Sequence, residues 1–397
     1  MTTEMTFSVA QCLGGDDFLA QTFGQRYHVS RGSSHRAASL LTWDDVNAIL
    51  THHRLDAPRL RLAKDGQPLA THTYSRPTVT RRRTAWQRLQ PADLHQQLAE
   101  GATLVLDAVD ELHPGAAQLA MDLERWLRTA VQINLYASWT STEGFGIHWD
   151  DHDVVVIQLD GSKCWRLYGP TRVAPMHRDV QAPDSPPADP VAELVLDAGD
   201  VLYLPRGWWH AVAASSGQAS LHLTCGLQTT TGADVIAWLS DSLRTHELVR
   251  SDVPRFGSTT DQAAFTEHLA KLVMSELTSP DLLPRFLAAR DATEQARLAP
   301  SLPYVRAVPS DPQLWVQLLV TRPALDTTPE GDVRLTAGGE EWTFARRVRP
   351  LLELLESGFP QKLSTLAESG SLTVAETALV VSELVNGQVA GIKRGAE

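Results

Sequence analysis

The sequence predicts a mainly β protein with added α-helix, organised as a large β domain over residues 1–230, a helical segment over 231–300 and a mixed end over 301–397. Three observations carry that reading. Between positions 131 and 227, short apolar, β-rich runs alternate with Gly, Pro and Asp at the spacing of a β-sandwich or barrel. From Ala233 onward, apolar residues recur three and four apart. Past Leu302, short strand-like runs return, mixed with helices.

Taken in order, a helix is predicted over 91–100, closed by Gly101, then an apolar strand over 103–106 and an amphipathic helix over 114–128 with Pro114 at its start. Strands are predicted over 131–138, 153–159, 164–168, 194–196, 201–204 and 219–227, with Asp160-Gly161 read as a hairpin turn. Helices follow over 234–243, 261–277 and 280–289, the last capped by Ser279. These three are too few to enclose a core alone, so their apolar faces pack on the β domain or on a second copy, and a homodimer is the preferred reading. The end of the chain gives strands over 332–335 and 342–344, helices over 347–355, 360–366 and 373–386, and a β-like close over 387–392, an order that resembles a winged-helix module.

At 397 residues and 43% hydrophobic, the chain can bury one large core and one or two small ones. No apolar run approaches the roughly 20 residues of a membrane span, and the first 30 residues lack a basic-then-apolar leader profile. Cys12, Cys164 and Cys225 are too far apart for a metal-ligand spacing, which fits a reducing cytoplasm; Cys164 and Cys225 read as buried filler. The net charge of −12 argues against attraction of the whole protein to nucleic acid. Residues 51–90 run against it, with nine Lys or Arg to two acids, read as a solvated basic face or a contact for a polyanion. Residues 301–397 carry nine basic and twelve acidic side chains, so the winged-helix-like end is not expected to bind DNA. No internal repeat is present, and 181–190, rich in Pro and Asp, reads as a loop.

The chemistry concentrates at His148-Trp149-Asp150, inside Gly-Phe-Gly-Ile-His-Trp-Asp-Asp-His-Asp, and at His210, which ends Tyr-Leu-Pro-Arg-Gly-Trp-Trp-His. In extended structure, residues two apart share a face, so His148 and Asp150 can reach one ion. Gly199-Asp200 makes a turn, 201–204 a strand, and 205–207 a bend that presents His210 inward. Two imidazoles and a carboxylate, with no thiolate, are the donor set of an open-faced Fe(II) site, with about half an octahedral shell left for substrate. A second His-x-Asp at His177-Arg178-Asp179 adjoins the Pro- and Asp-rich loop and is not expected to bind metal. His152, four beyond His148, is a rival ligand by parity and is read as a partner of the ligand shell. Asn134 and Tyr136 can both face the interior of one strand, and His222 and Thr224 share parity with Ser220 on the last one.

The stretch 134–224 resembles the JmjC branch of the cupin superfamily, and within it the ribosomal-oxygenase (cupin-4-like) group of Fe(II)- and 2-oxoglutarate-dependent hydroxylases. The words that carry the likeness are Asn134-Leu-Tyr136, Gly144 through Asp153, Gln158 through Tyr168 and Gly199 through His210. The resemblance implies a double-stranded β-helix (jelly-roll) domain, then a helical dimerisation segment and the winged-helix-like end. It implies Fe(II) held by His148, Asp150 and His210, and 2-oxoglutarate as co-substrate, its far carboxylate paired with Lys163. A diacid chelating metal at one end does need a fixed cation at the other. Asn134, Tyr136 and Thr224 are implied to touch the co-substrate, with His152, His222 and Trp165 beside the metal or the substrate. The implied reaction is oxidative decarboxylation of 2-oxoglutarate to succinate, coupled to hydroxylation of an Arg or His side chain in a polypeptide, by analogy a ribosomal protein. Two alternatives stay open: a hydroxylase of a free or carrier-bound small molecule, and a cupin that holds metal without oxidation. Demethylation of lysine would use the same oxidant, and the same ligands accept Mn, Co, Ni or Zn.

Overall fold

The computed structural model describes residues 7–393 apart from 33, 80, 82, 84, 143, 178, 180–184 and 215–217. The chain divides into two units, Met1–Thr229 and Thr230–Glu397, so the expected helical segment and mixed end form one unit.

Alternation along the strands sorts the first unit into layers. Its strands are β1 (His28–Ser30), β2 (Leu60–Lys64), β3 (Gln67–Pro68), β4 (Ser75–Val79), β5 (Ala85–Leu89), β6 (Thr103–Leu106), β7 (Val131–Ser138), β8 (Asp153–Asp160), β9 (Ser162–Pro170), β10 (Ala192–Asp197), β11 (Val201–Leu204), β12 (Trp208–Ala214) and β13 (Ser220–Leu227). One sheet runs β1-β11-β8-β13-β7-β6-β2-β3 and a second β10-β9-β12, all pairings antiparallel. One face of the large sheet, with Ile133, Leu135, Val155, Ile157, Leu221, Leu223 and Cys225, packs under helices whose contributions include Phe18, Leu119 and Leu123. On the other face, Val154, Val156, Leu202 and Leu204 meet Trp165 and Leu167 of the small sheet in an interior core. This is the two-sheet jelly-roll arrangement expected, and its interior is where period-two alternation sends Asn134, Tyr136, His222 and Thr224.

Among the described residues, the α-helices that accompany these strands are α1 (Val9–Leu13), α2 (Gly15–Gln21), α3 (Ser34–Ala38), α4 (Trp43–His52), α5 (Pro91–Ala99) and α6 (Pro114–Leu127). The predicted 91–100 and 114–128 helices and the 103–106, 131–138 and 201–204 strands fall where expected. Two expectations are corrected. Asp160-Gly161 is no hairpin turn, because β8 and β9 lie in different sheets. The chain crosses between them there, with Gly161 at φ +63° and so close to β13 that a Cβ would sit 2.0 Å from the Ala219 carbonyl oxygen. And the bend at 205–207 is present, with Gly207 at φ +76°, but it leads into a strand that was not expected, β12, which contains His210 and whose Trp208, Trp209 and Ala211 to Ala214 are apolar on both parities and so show no alternation.

In the basic stretch, Arg59 pairs with Glu111, Arg61 with Asp107 and Arg76 with Asp93, while Arg54 stacks 4.3 Å over the Trp86 ring. Arg82 lies outside the described residues, as do Arg178 and 181–184 of the expected loop. Cys225 is buried as expected, whereas Cys164 is only half-buried.

The second unit begins with α7 (Gly232–Ser242), α8 (Glu247–Arg250), α9 (Thr259–Leu277) and α10 (Leu282–Ala292). Ser279 does not cap α10, whose N-cap is Asp281. A separate core gathers Val316, Leu335, Leu351, Leu355, Leu363 and Val381. It is built from β14 (Trp315–Leu318), β15 (Ala324–Thr327), β16 (Val333–Ala337), β17 (Glu340–Phe344), α11 (Arg349–Glu356), β18 (Gln361–Lys362), α12 (Leu363–Ser369), α13 (Val374–Asn386) and β19 (Ala390–Lys393). β18-β14-β19 and β15-β16-β17 form two small sheets beside the three helices. No helix among the described residues is long and apolar enough to cross a membrane.

Candidate functional site

His148 and Asp150 do not sit on a regular strand. Their segment is extended and tied to β12 by a single antiparallel bridge, with His148 N–H donating to His210 O (3.0 Å), His210 N–H to His148 O (2.8 Å) and Gly207 N–H to Asp150 O (2.8 Å). Trp149 between them is buried against Tyr168, Trp209 and Ala211. Burying that indole on one side throws His148 and Asp150 to the other. The result is one donor atom from each of His148, Asp150 and His210, all within 4.8 Å of one another.

Both imidazoles are oriented by their own backbone. His148 Nδ1 lies 3.1 Å from Gly146 O, and His210 Nδ1 lies 2.9 Å from Trp208 O. A carbonyl only accepts, so each Nδ1 carries the proton and each Nε2 lone pair is free. His210 Nε2 lies 3.8 Å from Asp150 Oδ2, beyond a hydrogen bond. Burial, then the neighbouring His148, push His210 down to about 4, keeping it neutral and a ligand at neutral pH. The ring of Trp165 stacks on His210 at 5.6 Å. Two imidazole nitrogens and a carboxylate oxygen, the rings oriented through their Nδ1 atoms, fit a divalent transition metal such as Fe(II) and leave positions open.

Beside these donors is a cavity of about 250 Å³ lined by His148, Asp150, His210, Lys163, Trp165, Tyr136, His222 and Thr224, together with Arg61, Thr103, Phe145 and Val212. Lys163 is 3% exposed, and burial alone brings its pKa down to about 7. Among the described residues no carboxylate pairs with it; its partner is His222 Nδ1 at 3.4 Å. The Trp165 indole N–H is buried without an acceptor. A buried ammonium without a counter-ion and an unmatched N–H, both lining one cavity, fit an anionic ligand.

Three candidates fall elsewhere. His152 is turned out of the cavity, its Nδ1 3.0 Å from Asp151 Oδ1 and its ring against Gly226, because the chain bends after Asp150 and the parity argument lapses. Asn134 does not line the cavity; its Oδ1 accepts from Ala108 N–H and from Gln132 Nε2, both at 3.0 Å. His177 donates to Asp151 (3.0 Å), while Asp179 accepts from Arg172 and Met176 N–H, so the second His-x-Asp pair is divided. Arg61, unassigned by sequence, reaches the cavity from β2 and makes two 2.8 Å bonds to Asp107. Tyr136 is pushed up to about 12 by burial, then by Asp150 and Asp107, and remains a phenol.

The profile of the JmjC domain family matches residues 111–235. The bifunctional lysine-specific demethylase and histidyl-hydroxylase NO66 of Aedes aegypti is 30% identical over 176 residues, covering 42% of this chain and 28% of that protein. Ribosomal oxygenase 1 of Gallus gallus is 38% identical over 94 residues, covering 23% and 16%. The chain thus spans less than a third of the length of these curated relatives. Among solved structures, the YcfD ribosomal oxygenase of Escherichia coli aligns over 95% of this chain and 97% of its own with a TM-score of 0.60 at 17% identity, a likeness of fold. A second YcfD structure, in complex with cobalt and 2-oxoglutarate, aligns with the same TM-score and identity.

Proposed function

For a chain that carries a JmjC domain on a ribosomal-oxygenase-like cupin fold, we propose an Fe(II)- and 2-oxoglutarate-dependent oxygenase that hydroxylates an Arg or His side chain in a polypeptide, with a ribosomal protein as the substrate class. One observation carries it: a convergent His148, Asp150 and His210 donor set shares a cavity with a buried Lys163 that has no carboxylate partner among the described residues. Bound there, Fe(II) with 2-oxoglutarate would allow O₂ to be used as the oxidant, one oxygen atom entering the C–H bond as hydroxyl and the other entering succinate as CO₂ is lost from the diacid.

The chain's own residues would do the rest. Gly146 O and Trp208 O fix both imidazoles so that Nε2 faces the ion, and Asp150 supplies the negative charge that a divalent cation needs. Lys163 takes the far carboxylate, and the bond is strong because it forms out of water. The rings of Trp165 and Phe145 wall the cavity and narrow the access of water. Thr224 and Tyr136 offer hydroxyls to the co-substrate from β13 and β7. Asn134 acts one step back, outside the cavity, its Oδ1 held by Ala108 N–H and Gln132 Nε2.

The dimer belongs to the same reading, as does a reducing, cytoplasmic setting for three free cysteines. The test is succinate release and O₂ uptake by anaerobically Fe(II)-loaded protein with 2-oxoglutarate, with and without ribosomal-protein peptides bearing Arg and His. His148→Ala and Lys163→Ala should each lower kcat/KM by about 100-fold or more, and mass spectrometry should find +16 Da on one Arg or His. Failure of the wild-type protein to turn over 2-oxoglutarate under any of these conditions would leave a metal-holding cupin without oxidation.

A further inference from the structure

Lys163 and His222 come from different sheets, β9 and β13, and meet inside the first unit with Nζ 3.4 Å from Nδ1. Two ring contacts fix the imidazole. Its face stacks on Tyr136 with centroids 5.0 Å apart and planes at 6°, and Trp165 meets it edge-on at 6.1 Å and 74°. Opposite it the pairing of β13 with β8 shifts between Leu221 and His222, the extra residue being Leu159 of β8. The ring is 3% exposed, and burial followed by the Lys163 charge holds His222 well below its ordinary pKa, so it is a neutral imidazole.

A neutral imidazole has one donor and one acceptor nitrogen, whereas an ammonium can only donate. Once a carboxylate in the cavity makes Lys163 an ammonium, Nδ1 must be the acceptor and the proton must sit on Nε2. A lysine has four rotatable bonds and would otherwise wander. Here its end is held at a set depth from the donor set, on a ring that packing does not let turn.

We propose that His222 is a positioning residue of the co-substrate subsite: as the Nε2–H tautomer it accepts from Lys163 through Nδ1, fixes the ammonium relative to the metal donors, and so sets the chain length of the 2-oxo diacid the site accepts. This rests on the oxygenase reading above. His222 itself touches neither metal nor the reacting atoms; it acts through Lys163.

The test compares wild type, His222→Asn, His222→Phe and Lys163→Ala, each loaded with Zn(II) as a redox-inert ion. Calorimetry measures binding of 2-oxoglutarate, its four-carbon homologue oxaloacetate and its six-carbon homologue 2-oxoadipate. Wild type should favour the five-carbon acid by about tenfold or more over both, the range one methylene commands in a fitted site. His222→Phe should shrink that preference to about threefold or less and, in the Fe(II) enzyme, raise KM for 2-oxoglutarate about tenfold while kcat at saturation stays within about twofold. His222→Asn, whose amide oxygen can accept from the ammonium, should recover most of both. In the 2-oxoglutarate complex, ¹⁵N spectra should show the His222 proton on Nε2. An Nδ1–H tautomer, or an unchanged length preference in folded His222→Phe, overturns the proposal. If diacid binding is lost in Lys163→Ala but normal in both His222 variants, the positioning role alone fails. If wild type binds none of the three acids, the oxygenase reading fails and this proposal goes with it.

Discussion

Lys163 sits where a lysine is least comfortable, and that discomfort has a measurable sign. In the unfolded chain its pKa is about 10.4; in the fold, burial brings it to about 7. Between those values the folded protein binds fewer protons than the unfolded one, so stability rises with pH through that window. The cost of burying the ammonium is absent above it and complete below about pH 7. A bound diacid reverses the preference, because the carboxylate favours the ammonium. Binding of 2-oxoglutarate at about pH 8 should therefore take up close to one proton, and at about pH 6 almost none. Calorimetry of the Zn(II)-loaded protein in buffers of different ionisation enthalpy reads this directly. Lys163→Met should abolish the buffer dependence, and a wild type with none at pH 8 would mean that Lys163 is not the cation that meets the diacid.

Among the elements, the corner between β8 and β9 carries the most consequence, because it delivers Lys163 to the interior two residues later. Gly161 has both a left-handed backbone and no room for a Cβ beside Ala219 O. Gly161→Ala should lower unfolding stability by about 2 kcal/mol or more, seen as a drop in the denaturation midpoint, and weaken 2-oxoglutarate binding through Lys163. A variant as stable as wild type would show that the corner relaxes freely. This corner also marks where sequence reading stops. Asp160-Gly161 announces a turn, but a turn signal does not say whether the next strand pairs with the last or crosses to another sheet. The strands at 103–106 and 201–204 were legible because their apolar runs are bounded by Gly, Asp or Pro, and 131–138 because Val131, Ile133, Leu135 and Ala137 alternate with Gln132, Asn134 and Tyr136. β12 was not, since Trp208, Trp209 and Ala211 to Ala214 are apolar on both parities and give no alternation around the ligand His210. His148 and Asp150 were legible from spacing and His210 from its motif, but Lys163 on its own resembles any solvated lysine after a turn. His152 misled because parity holds only while the backbone stays extended. Arg61 gave no signal; β2 is a short strand whose role depends on pairing with β6. The Thr42-Asp45 capping box of α4 is a helix start legible in four residues.

The whole molecule leaves one large account open in its second unit. α9 is 19 residues long and buries none of them, and Ile236, Phe256, Met274 and Leu283 stand exposed nearby in sequence. A helix gains most of its stability from packing one face, so a long one with no buried residue is out of balance in a lone chain. The small core of Leu239, Leu243 and Leu282 is too slight to enclose it. We propose that a second copy of the same unit covers these residues under two-fold symmetry, the commonest closure for such a surface. Light scattering behind size exclusion should therefore give about twice the 43.5 kDa of one chain. Met274→Glu with Leu283→Glu should convert it to a monomer with a lower melting temperature, while Zn(II) and 2-oxoglutarate still bind, since every residue of the donor set lies in the other unit. A wild-type protein that runs as a monomer at micromolar concentration would sink the dimer. A double variant that stays dimeric would move the interface off these helices.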